Sequence, residues 1–330
     1  MISSSKPDDS SPLTIRPPIY LTGATASGKS AVGVVLARRI GAEVIALDSM
    51  TLYRGMDIGT AKPTVDERGG VRHHLVDVLD PWESASVAEY RGWATERVWE
   101  IEARGNRALF VGGTALYLKA MLRGLFDGPG VVPEIRARLE AEAGRLGDAA
   151  LHERLRGVDP AIATRLHPND RRRVVRALEV FEATGRPLSD WQREHDRPAE
   201  GSIVLAIERP REVVHDRIDR RVRAMFAAGL VEEVRALLAG PRPIHPVPAQ
   251  GVGYREVIDL LAGRATLDDT IALVQARTRQ FARRQATWFR GLAEVRPWPV
   301  ADDEPSEVTA GRLAGWIEEN PTADDADGHR

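Results

Sequence analysis

The chain has 330 residues, of which 43% are apolar and 28% charged, the composition of an ordinary globular protein with a sizeable core. It contains no cysteine, which excludes disulfides, thiolate metal sites and cysteine nucleophiles. The formal net charge of −2 gives no sign of a nucleic-acid partner, although charge is unevenly distributed. The sequence shows no signal core and no membrane span, so we expect a cytoplasmic protein with no membrane partner.

We predict a disordered tail at residues 1–16, where serine, proline and aspartate predominate. Strands then alternate with helices, beginning with the strand "PIYLTG". This alternation predicts a parallel sheet with helical crossovers. Ligands gather at the carboxyl ends of such strands, so we expect residues 23–30, Asp48 and Thr114 to surround one crevice.

From residue 131 to residue 201 the pattern changes to helices rich in arginine, and the strand "SIVLAIER" follows. We therefore predict an α/β core formed by residues 17–130 and 202–300, interrupted by an all-helical insertion at residues 131–201. Residues 301–330 are predicted to be an acidic tail with one short helix. Because no helix has an obvious exposed apolar face, we expect a monomer with no obligate protein partner.

The segment "GATASGKS" fits the phosphate-loop pattern G-x-x-x-x-G-K-[ST] at every fixed position. Its glycines let the backbone wrap around oxyanions, and the following helix adds positive potential at its N-terminus. Lys29 supplies a point charge, and the hydroxyl of Ser30 is a candidate ligand for Mg²⁺. The loop therefore predicts a polyphosphate together with Mg²⁺. Its residues are Gly23, Ala24, Thr25, Ala26, Ser27, Gly28, Lys29 and Ser30.

The rest of the predicted sheet does not fit an ATP hydrolase, which normally holds Mg²⁺ with an acidic residue at a second strand end. Here the strand "RALFVGG" ends in glycines, and only "VIALD" ends in an acid, at Asp48. A carboxylate in this place is more often functional than structural. Its position leaves three roles open: a magnesium ligand, a general base, or a cap on a following helix.

Residues 48–63 are dense in polar residues and glycine, which argues against a core element and favours a binding loop or a solvated connection. His73 and His74 are adjacent, so in an extended segment their side chains point in opposite directions. Because no neighbouring cluster completes a set of metal ligands, we favour a structural role for both histidines.

The segment "HPNDRRRVVRALEV" is the strongest basic feature. On a helix, Arg172 and Arg176 share a face and Arg173 lies beside both. Like charges crowded on one turn without interleaved acids favour an anion such as phosphate. In the later helix "ARTRQFARRQATWFR" we predict that the aromatic residues pack in the core and the arginines face solvent or anions. The aromatic residues are Phe281, Trp288 and Phe289, and the arginines are Arg277, Arg283 and Arg284.

Seven segments, in order over residues 18–298, together resemble the tRNA dimethylallyltransferase family, whose members prenylate an adenosine beside the tRNA anticodon. Each segment is moderately specific, whereas the ordered set is highly specific. The segments are "GATASGKS", "DSMTLYRGMDIGTAKP", "HHLVDVLDP", "VGGTALYLKA", "HPNDRRRVVRALEV", "GVGYREVIDLLAG" and "RTRQFARRQATWFR". The resemblance implies an α/β fold with a P-loop NTPase-like parallel sheet core and an inserted all-helical tRNA-binding domain.

The resemblance also implies transfer of a dimethylallyl group from dimethylallyl diphosphate to the exocyclic amine of the adenosine 3′-adjacent to the anticodon. The phosphate loop would hold the donor's diphosphate, with Lys29 and with Mg²⁺ on Ser30. Arg221 matches a diphosphate-binding arginine of the family, Asp48 matches its general base, and Thr114 matches a residue that holds the target base. The implied partners are dimethylallyl diphosphate and the anticodon stem-loop of tRNA.

A tRNA-binding surface made of two loops, one helix and an isolated arginine is a further implication of the resemblance. Its residues are Asp48, Ser49, Met50, Thr51, Thr114, Arg136, Arg172, Arg173, Val174, Val175, Arg176, Gln250, Gly251, Val252, Gly253, Tyr254 and Arg255. The chain departs from the family at Ala24, where proline is common, and at Thr51 and Arg172, where glutamine is frequent. The last two departures concern contacts with tRNA bases rather than the chemistry.

Three other functions fit parts of the pattern. An adenylate isopentenyltransferase would use the same chemistry on a free adenine nucleotide, but it needs no arginine-rich helical insertion. A small-molecule kinase would use the loop for ATP. A non-catalytic RNA-binding protein would retain the loop as a scaffold, and Asp48 would then be dispensable.

Overall fold

The computed structural model describes residues 16–125, 128–195, 198 and 201–321. The predicted N-terminal tail, apart from Arg16, and residues 322–330 of the predicted C-terminal tail lie outside these ranges. The chain divides into two compact units: a sheet unit, Met1–Met121 with Ala199–Arg330, and a helical unit, Leu122–Pro198.

Within the sheet unit, a six-stranded, entirely parallel sheet has the order β3-β2-β4-β1-β5-β6. The strands are β1 (Ile19–Gly23), β2 (Ala42–Ala46), β3 (His73–His74), β4 (Arg107–Val111), β5 (Ile203–Glu208) and β6 (Val295–Pro299). The predicted α/β class with a parallel sheet is confirmed. Strands β3 and β6 were not predicted, because the first has only two residues and the second, "VRPWP", contains two prolines.

Helices connect the strands and build the helical unit. In chain order they are α1 (Lys29–Arg39), α2 (Val65–Arg68), α3 (Val87–Ala103), α4 (Ala115–Arg123), α5 (Pro133–Leu146), α6 (Asp148–Val158), α7 (Pro160–Ala163), α8 (Arg171–Thr184), α9 (Leu188–His195), α10 (Arg211–Ala227), α11 (Leu230–Leu238), α12 (Pro246–Ala249), α13 (Tyr254–Leu261), α14 (Leu267–Arg290) and α15 (Ser306–Glu319). Among the described residues, no helix combines the length and the apolar character needed to cross a bilayer.

Each unit has its own hydrophobic core. All five residues of β1 are buried, and the side chains of Ile19 and Leu21 pack in one cluster with residues of α1 and α15, among them Leu36 and Leu313. Within the segment predicted as an acidic tail with one short helix, residues 306–319 form α15, which buries one face against α1. In the helical unit, α8 places Val175 and Leu178 in a core shared with α5 and α6.

The glycine that follows β4 allows a close approach between backbones. A Cβ atom on Gly112 would lie 2.1 Å from the carbonyl oxygen of Leu47, which follows the neighbouring strand β2. No L side chain fits this gap without moving the backbone. The Gly-Gly end of β4, which distinguishes this sheet from that of an ATP hydrolase, is therefore also a packing requirement.

Gly112→Ala is expected to destabilise the fold by about 1–3 kcal/mol, because the added methyl group overlaps rigid backbone. The matched control is Gly92→Ala, at an exposed position in α3 where an added Cβ meets nothing within 4 Å. That substitution should raise stability by about 0.5–1 kcal/mol through helix propensity. Urea unfolding followed by circular dichroism measures both changes, and equal stability of the two variants would contradict the packing argument.

Candidate functional site

The phosphate loop connects β1 to α1 through residues in unusual backbone conformations. Gly28, at the N-cap of α1, has φ 94°, and Ala26 has φ 64°, a left-handed conformation that alanine rarely adopts. Helix α1 has no side-chain cap and no acidic residue in its first turn. The N-terminus of α1 is therefore free of competing carboxylates of its own and suits an anion.

Two arginines for which the sequence predicted no role donate hydrogen bonds to backbone carbonyl groups of this loop. Arg217 Nε donates to the carbonyl oxygen of Ala26 at 2.9 Å, and Arg209 Nε donates to that of Ser27 at 2.9 Å. These bonds satisfy the carbonyl groups of the strained turn and stabilise its left-handed alanine. Local sequence patterns do not mark either arginine, because each reaches the loop from a distant element.

Lys29, Asp48 and Arg221 are brought together at the mouth of the loop. Burial lowers the pKa of Lys29 to about 8; the Asp48 carboxylate opposes this effect and the Arg221 guanidinium adds to it. Burial raises the pKa of Asp48, against hydrogen bonding from Met50 and the charge of Lys29. Burial, followed by the charge of Arg217, lowers the pKa of Arg221. The pKa shifts of these three groups share two causes, burial and the charges of their neighbours. The Asp48 carboxylate therefore lies among several cations in a poorly solvated crevice.

Asp48 closes a tight turn and does not cap a helix. Its Oδ1 accepts from the Met50 amide at 2.8 Å, and the next helix begins only at Val65. The helix-cap alternative is therefore wrong. Thr114 lies beside this turn, because its Oγ1 accepts from the amide of Ser49 at 3.1 Å.

Gln285, in α14, links the phosphate loop to the end of β4. Its Oε1 accepts from the Thr25 amide at 2.8 Å, and its Nε2 donates to the Gly113 carbonyl oxygen at 2.8 Å. The side chain is buried, and a Cβ atom on Gly113 would lie 2.4 Å from its Nε2. The Gln285 amide thus occupies the space that a side chain at Gly113 would fill. Only its place in the buried stripe of α14 could have indicated it beforehand.

The expectation that residues 48–63 contain no core element is wrong. Leu52, Tyr53 and Met56 are buried at 1%, 2% and 0% exposure. Lys62 is also buried, and its ammonium donates to carboxylate oxygens of Asp57 and Asp77, each at 2.5 Å. The polar composition of residues 48–63 gave no sign of this compact loop. Its interior contains apolar side chains and the Lys62 ammonium, which is paired with two carboxylates.

Two loops predicted to bind tRNA lie against each other. A Cβ atom on Gly251 would lie 2.5 Å from Met50 Cε, so residues 48–51 and 250–255 are neighbours. The hydroxyl of Tyr254 donates to Glu233 at 2.7 Å. Glu233 also accepts from backbone amides of residues 57–59. The Tyr254 side chain is buried and braces the loops, whereas Gln250 and Arg255 are exposed.

The basic helix α8 is more fully paired than its sequence suggests. Arg176 and Arg136 both donate to the buried carboxylate of Glu179, at 2.9 and 2.6 Å. Arg173 pairs with Asp170. Arg172 is exposed and has no ion-pair partner within the described ranges. The expectation of uncompensated charge is thus wrong for most of these arginines, since acids from other turns and helices reach them.

Other predicted residues face inward or lie in structural contacts. The side chains of Val174 and Val175, within the predicted tRNA-binding stretch, are buried at 1% exposure each. His74 Nε2 lies 2.6 Å from a carboxylate oxygen of Glu43, and His73 Nδ1 lies 2.9 Å from the carbonyl oxygen of Val71. Both contacts are structural.

The aromatic residues near the end of α14 divide into two groups. Phe289 is buried at 3% exposure, as predicted. Phe281 and Trp288 are 38% and 44% exposed, so the prediction that they pack in the core is wrong.

Comparison with known proteins identifies the family. The family model described as IPP transferase matches residues 51–292. A tRNA dimethylallyltransferase of Geobacter sulfurreducens is 50% identical over 82% of this chain and 88% of its own length. The chain belongs to the tRNA dimethylallyltransferase family.

Other relatives and two solved structures agree with this membership. A tRNA dimethylallyltransferase 1 of Pelobacter propionicus is 47% identical over 84% of this chain and 90% of its own length. The crystal structure of a tRNA isopentenylpyrophosphate transferase from Bacillus halodurans has a TM-score of 0.69 and 37% identity, covering 96% of this chain and all of that one. A eukaryotic dimethylallyltransferase acting on tRNA gives a TM-score of 0.79 at 26% identity, covering 93% and 81%. The predicted family and the P-loop-like fold are confirmed.

Gln285→Ala is expected to weaken binding of inorganic diphosphate, because it removes the link that fixes the Thr25 amide in the loop. The two groups left unsatisfied should also cost about 1–3 kcal/mol each in stability. Gln275→Ala is the matched control, since Gln275 is a buried glutamine of the same helix that donates to the backbone carbonyl oxygen of Asp219. Calorimetric titration should show weaker diphosphate binding for the first variant only. An equal loss of diphosphate affinity in both variants would show that Gln285 contributes only general packing.

The lowered pKa of Lys29 predicts a pH limit on anion binding. The protonated ammonium attracts the diphosphate, and its charge is lost as pH rises through about 8. Affinity for a monoalkyl diphosphate, whose own charge is constant above neutral pH, should therefore fall between pH 7.5 and 9.5, that is, within about one and a half units of this pKa. A dissociation constant that stays constant over this range would show that Lys29 retains its proton there.

Proposed function

We propose that this chain transfers the dimethylallyl group of dimethylallyl diphosphate to the exocyclic amine of the tRNA adenosine 3′-adjacent to the anticodon. The observation that carries the proposal is the convergence of Lys29, Arg221 and Asp48 on a phosphate loop, beside a strand that ends in glycines, in a chain of this family. We also propose a cytoplasmic location, where tRNA is available.

The loop and its cations would bind the donor's diphosphate and stabilise it as it leaves. The allylic carbon–oxygen bond breaks, positive charge spreads over the allyl group, and negative charge grows on the diphosphate. Backbone amides at the start of α1, with Lys29 and Arg221, oppose that charge. Because these groups are fixed by the fold, little reorganisation is needed when the bond breaks.

Mg²⁺ fits this site only as an ion shared with the donor. Within the described ranges, no cluster of three or more acidic, histidine or cysteine side chains could hold a metal alone. Ser30 is exposed at the start of α1, and its single hydroxyl suits Mg²⁺ when diphosphate oxygens and water complete the coordination. When bound, the ion would offset charge on the leaving group.

Asp48 would act as the general base. As the new carbon–nitrogen bond forms, the amine loses a proton, and the carboxylate is the acceptor brought to the loop. Its raised pKa makes it a better base than an exposed aspartate. The Thr114 oxygen already accepts from Ser49, so its hydroxyl proton is free to donate to the adenine.

The helical unit supports tRNA over a free nucleotide as the acceptor. Its helix α8 presents Arg172 and Arg173 to solvent, while Arg176 and Arg136 are tied to Glu179. Exposed arginines on a rigid helix suit the phosphate backbone of an RNA stem. A mononucleotide needs no such surface.

A label-transfer assay tests the proposal. Dimethylallyl diphosphate labelled in the prenyl group is supplied with unmodified tRNA or with AMP, and labelled ATP is supplied separately. Label should enter tRNA alone, on the adenosine beside the anticodon. Label in AMP, or phosphate transfer from ATP, would establish one of the alternative functions.

Asp48→Asn should lower the single-turnover rate of that assay by about 10²–10⁴-fold, because the amide cannot accept the amine proton. Binding of tRNA should change little, since the amide oxygen can still accept from Met50. Equal losses in rate and in tRNA affinity would instead assign Asp48 a binding role.

Arg172→Ala should weaken tRNA binding and reduce the slope of log affinity against log salt by about 0.7–0.9, the value of one phosphate contact. Arg176→Ala is the contrasting variant. It should cost about 1.5–3 kcal/mol of stability by removing a charged hydrogen bond to buried Glu179, with a smaller change in salt slope. The reverse pattern, with the larger slope change at Arg176, would reassign the phosphate contact.

A further inference from the structure

The loop after β2 and the loop after β3 are joined beside Asp48. The amide of Asp77 donates to the carbonyl oxygen of Thr51 at 3.2 Å, and the amide of Val78 donates to that of Leu52 at 2.8 Å. The chain segments that continue these two neighbouring strands therefore stay attached to each other beyond the end of the sheet. As a result, the loop after β3 supports the turn that contains Asp48.

Thr51 connects this support to Asp48. Its Oγ1 donates to the carbonyl oxygen of Asp48 at 3.3 Å, and its side chain is buried. The backbone of Thr51, like that of Met50, also donates to the Asp48 carboxylate. The carbonyl oxygen of Thr51 is the acceptor for Asp77. A single residue thus lies between Asp48 and Asp77 and contacts both, so the place of the first depends on where the second is held.

The buried ammonium of Lys62 holds Asp77. Its Nζ donates to Oδ1 of Asp77 and to Oδ1 of Asp57, each at 2.5 Å, and to the carbonyl oxygen of Tyr53 at 2.7 Å. These three acceptors use all three donors of an ammonium group. Because a buried ammonium is costly unless its donors are satisfied, the network favours one arrangement of its partners.

The backbone around Lys62 adopts conformations that need such support. Ala61, Leu75 and Asp77 have φ values of 51°, 57° and 58°, in the left-handed region that residues other than glycine seldom occupy. Such conformations persist only where the surrounding structure fixes them, and they cluster at functional sites. Lys62 follows the first of these residues and binds the side chain of the last, so one cation secures both loops.

We propose that Lys62 is a positioning residue for the transfer reaction, which holds Asp48 in place through Asp77 and Thr51. The inference rests on the proposed function, in which Asp48 accepts the proton of the amine. Lys62 needs no contact with either substrate for this role. The carboxylate must face the amine as the carbon–nitrogen bond forms, and a misplacement of about 1 Å caused by a distant substitution can cost about 100-fold in rate.

The test compares two conservative variants in single-turnover transfer from dimethylallyl diphosphate to unmodified tRNA. Asp77→Asn removes a charge that Lys62 binds, while asparagine retains the size of the side chain and tolerates a left-handed backbone. The rate should fall roughly 10- to 100-fold.

Asp57→Asn is the matched control, because it removes the other carboxylate at the same distance from Lys62 Nζ. The amide of Asp57 donates to Glu233, away from the turn that contains Asp48, so this variant should react at nearly the wild-type rate. Equal rates in the two variants, whether fast or slow, would overturn the proposal.

A double-mutant cycle tests whether Lys62 acts through Asp77. Lys62→Met should slow transfer at least as much as Asp77→Asn, since it removes the donor to both acids. The combined variant should be no slower than Lys62→Met alone, because both changes break one contact. Rate losses that multiply would contradict a shared route. Should Lys62→Met not fold, as judged by circular dichroism, the two aspartate variants decide the question by themselves.

The pH dependence of the rate separates positioning from a general loss of stability. Burial raises the pKa of Asp48, whereas the Met50 amide, the Lys29 charge and the Thr51 backbone lower it. A looser turn weakens the backbone hydrogen bonds, so the pKa of Asp48 rises further in Asp77→Asn. The acid limb of its rate profile should therefore shift to higher pH. A loss of rate that is uniform over pH would show only a smaller folded fraction and would refute the positioning role.

The other groups that interact electrostatically with Asp48 are unchanged in these variants. They are Lys29 in the phosphate loop, Tyr90 in α3 and Tyr117 in α4. Failure of the proposed function has a separate signature, since the wild-type protein would then transfer no prenyl group to tRNA. Wild-type transfer with equal rates in the two aspartate variants would reject the role of Lys62 alone.

Discussion

The convergence of positive charge on one short loop is the constraint on which the rest of the structure depends. Lys29, Arg217 and Arg221 lie close enough that each guanidinium disfavours a neighbouring charge. The fold tolerates this because Arg217 and Arg209 donate to loop carbonyl groups and Asp48 adds one opposing charge. A bound diphosphate would relieve the remaining repulsion between these cations. The groups that repel one another in the free protein would therefore stabilise the diphosphate both as it binds and as it becomes the leaving group.

The glycine end of β4 and Gln285 together explain how a phosphate loop serves a different reaction. In an ATP hydrolase that strand end supplies an acid for the metal. Here Gly112 lets the backbone approach Leu47, and Gly113 makes room for an uncharged amide that bridges to Thr25. A neutral bridge keeps the loop in place without adding negative charge beside the diphosphate. Among the described residues, Asp48 is the carboxylate whose charge acts on Lys29, and in the proposed reaction it accepts the proton.

The sequence predicted the features that depend on local pattern. The glycines, lysine and serine of the loop have fixed spacing, and four strands and the arginine-rich helices follow from periodicity. The supporting contacts could not be predicted, because Arg209, Arg217 and Gln285 reach the loop from elements about 180 to 260 residues away. Charge composition also misled the interpretation of α8, since Glu179 is three residues beyond Arg176 yet neutralises two arginines from a buried position. Only the folded arrangement separates paired from unpaired cations.

That separation explains how a chain with a net charge of −2 can bind a polyanion. Many arginines are held by carboxylates and serve the fold, as Arg136 and Arg176 do at Glu179 and Arg277 does at Glu256. Local potential, rather than total charge, decides where RNA phosphates bind. Arg283 and Arg284 of α14, by contrast, are exposed and form no ion pair with any described residue, so positive potential remains there for an anion.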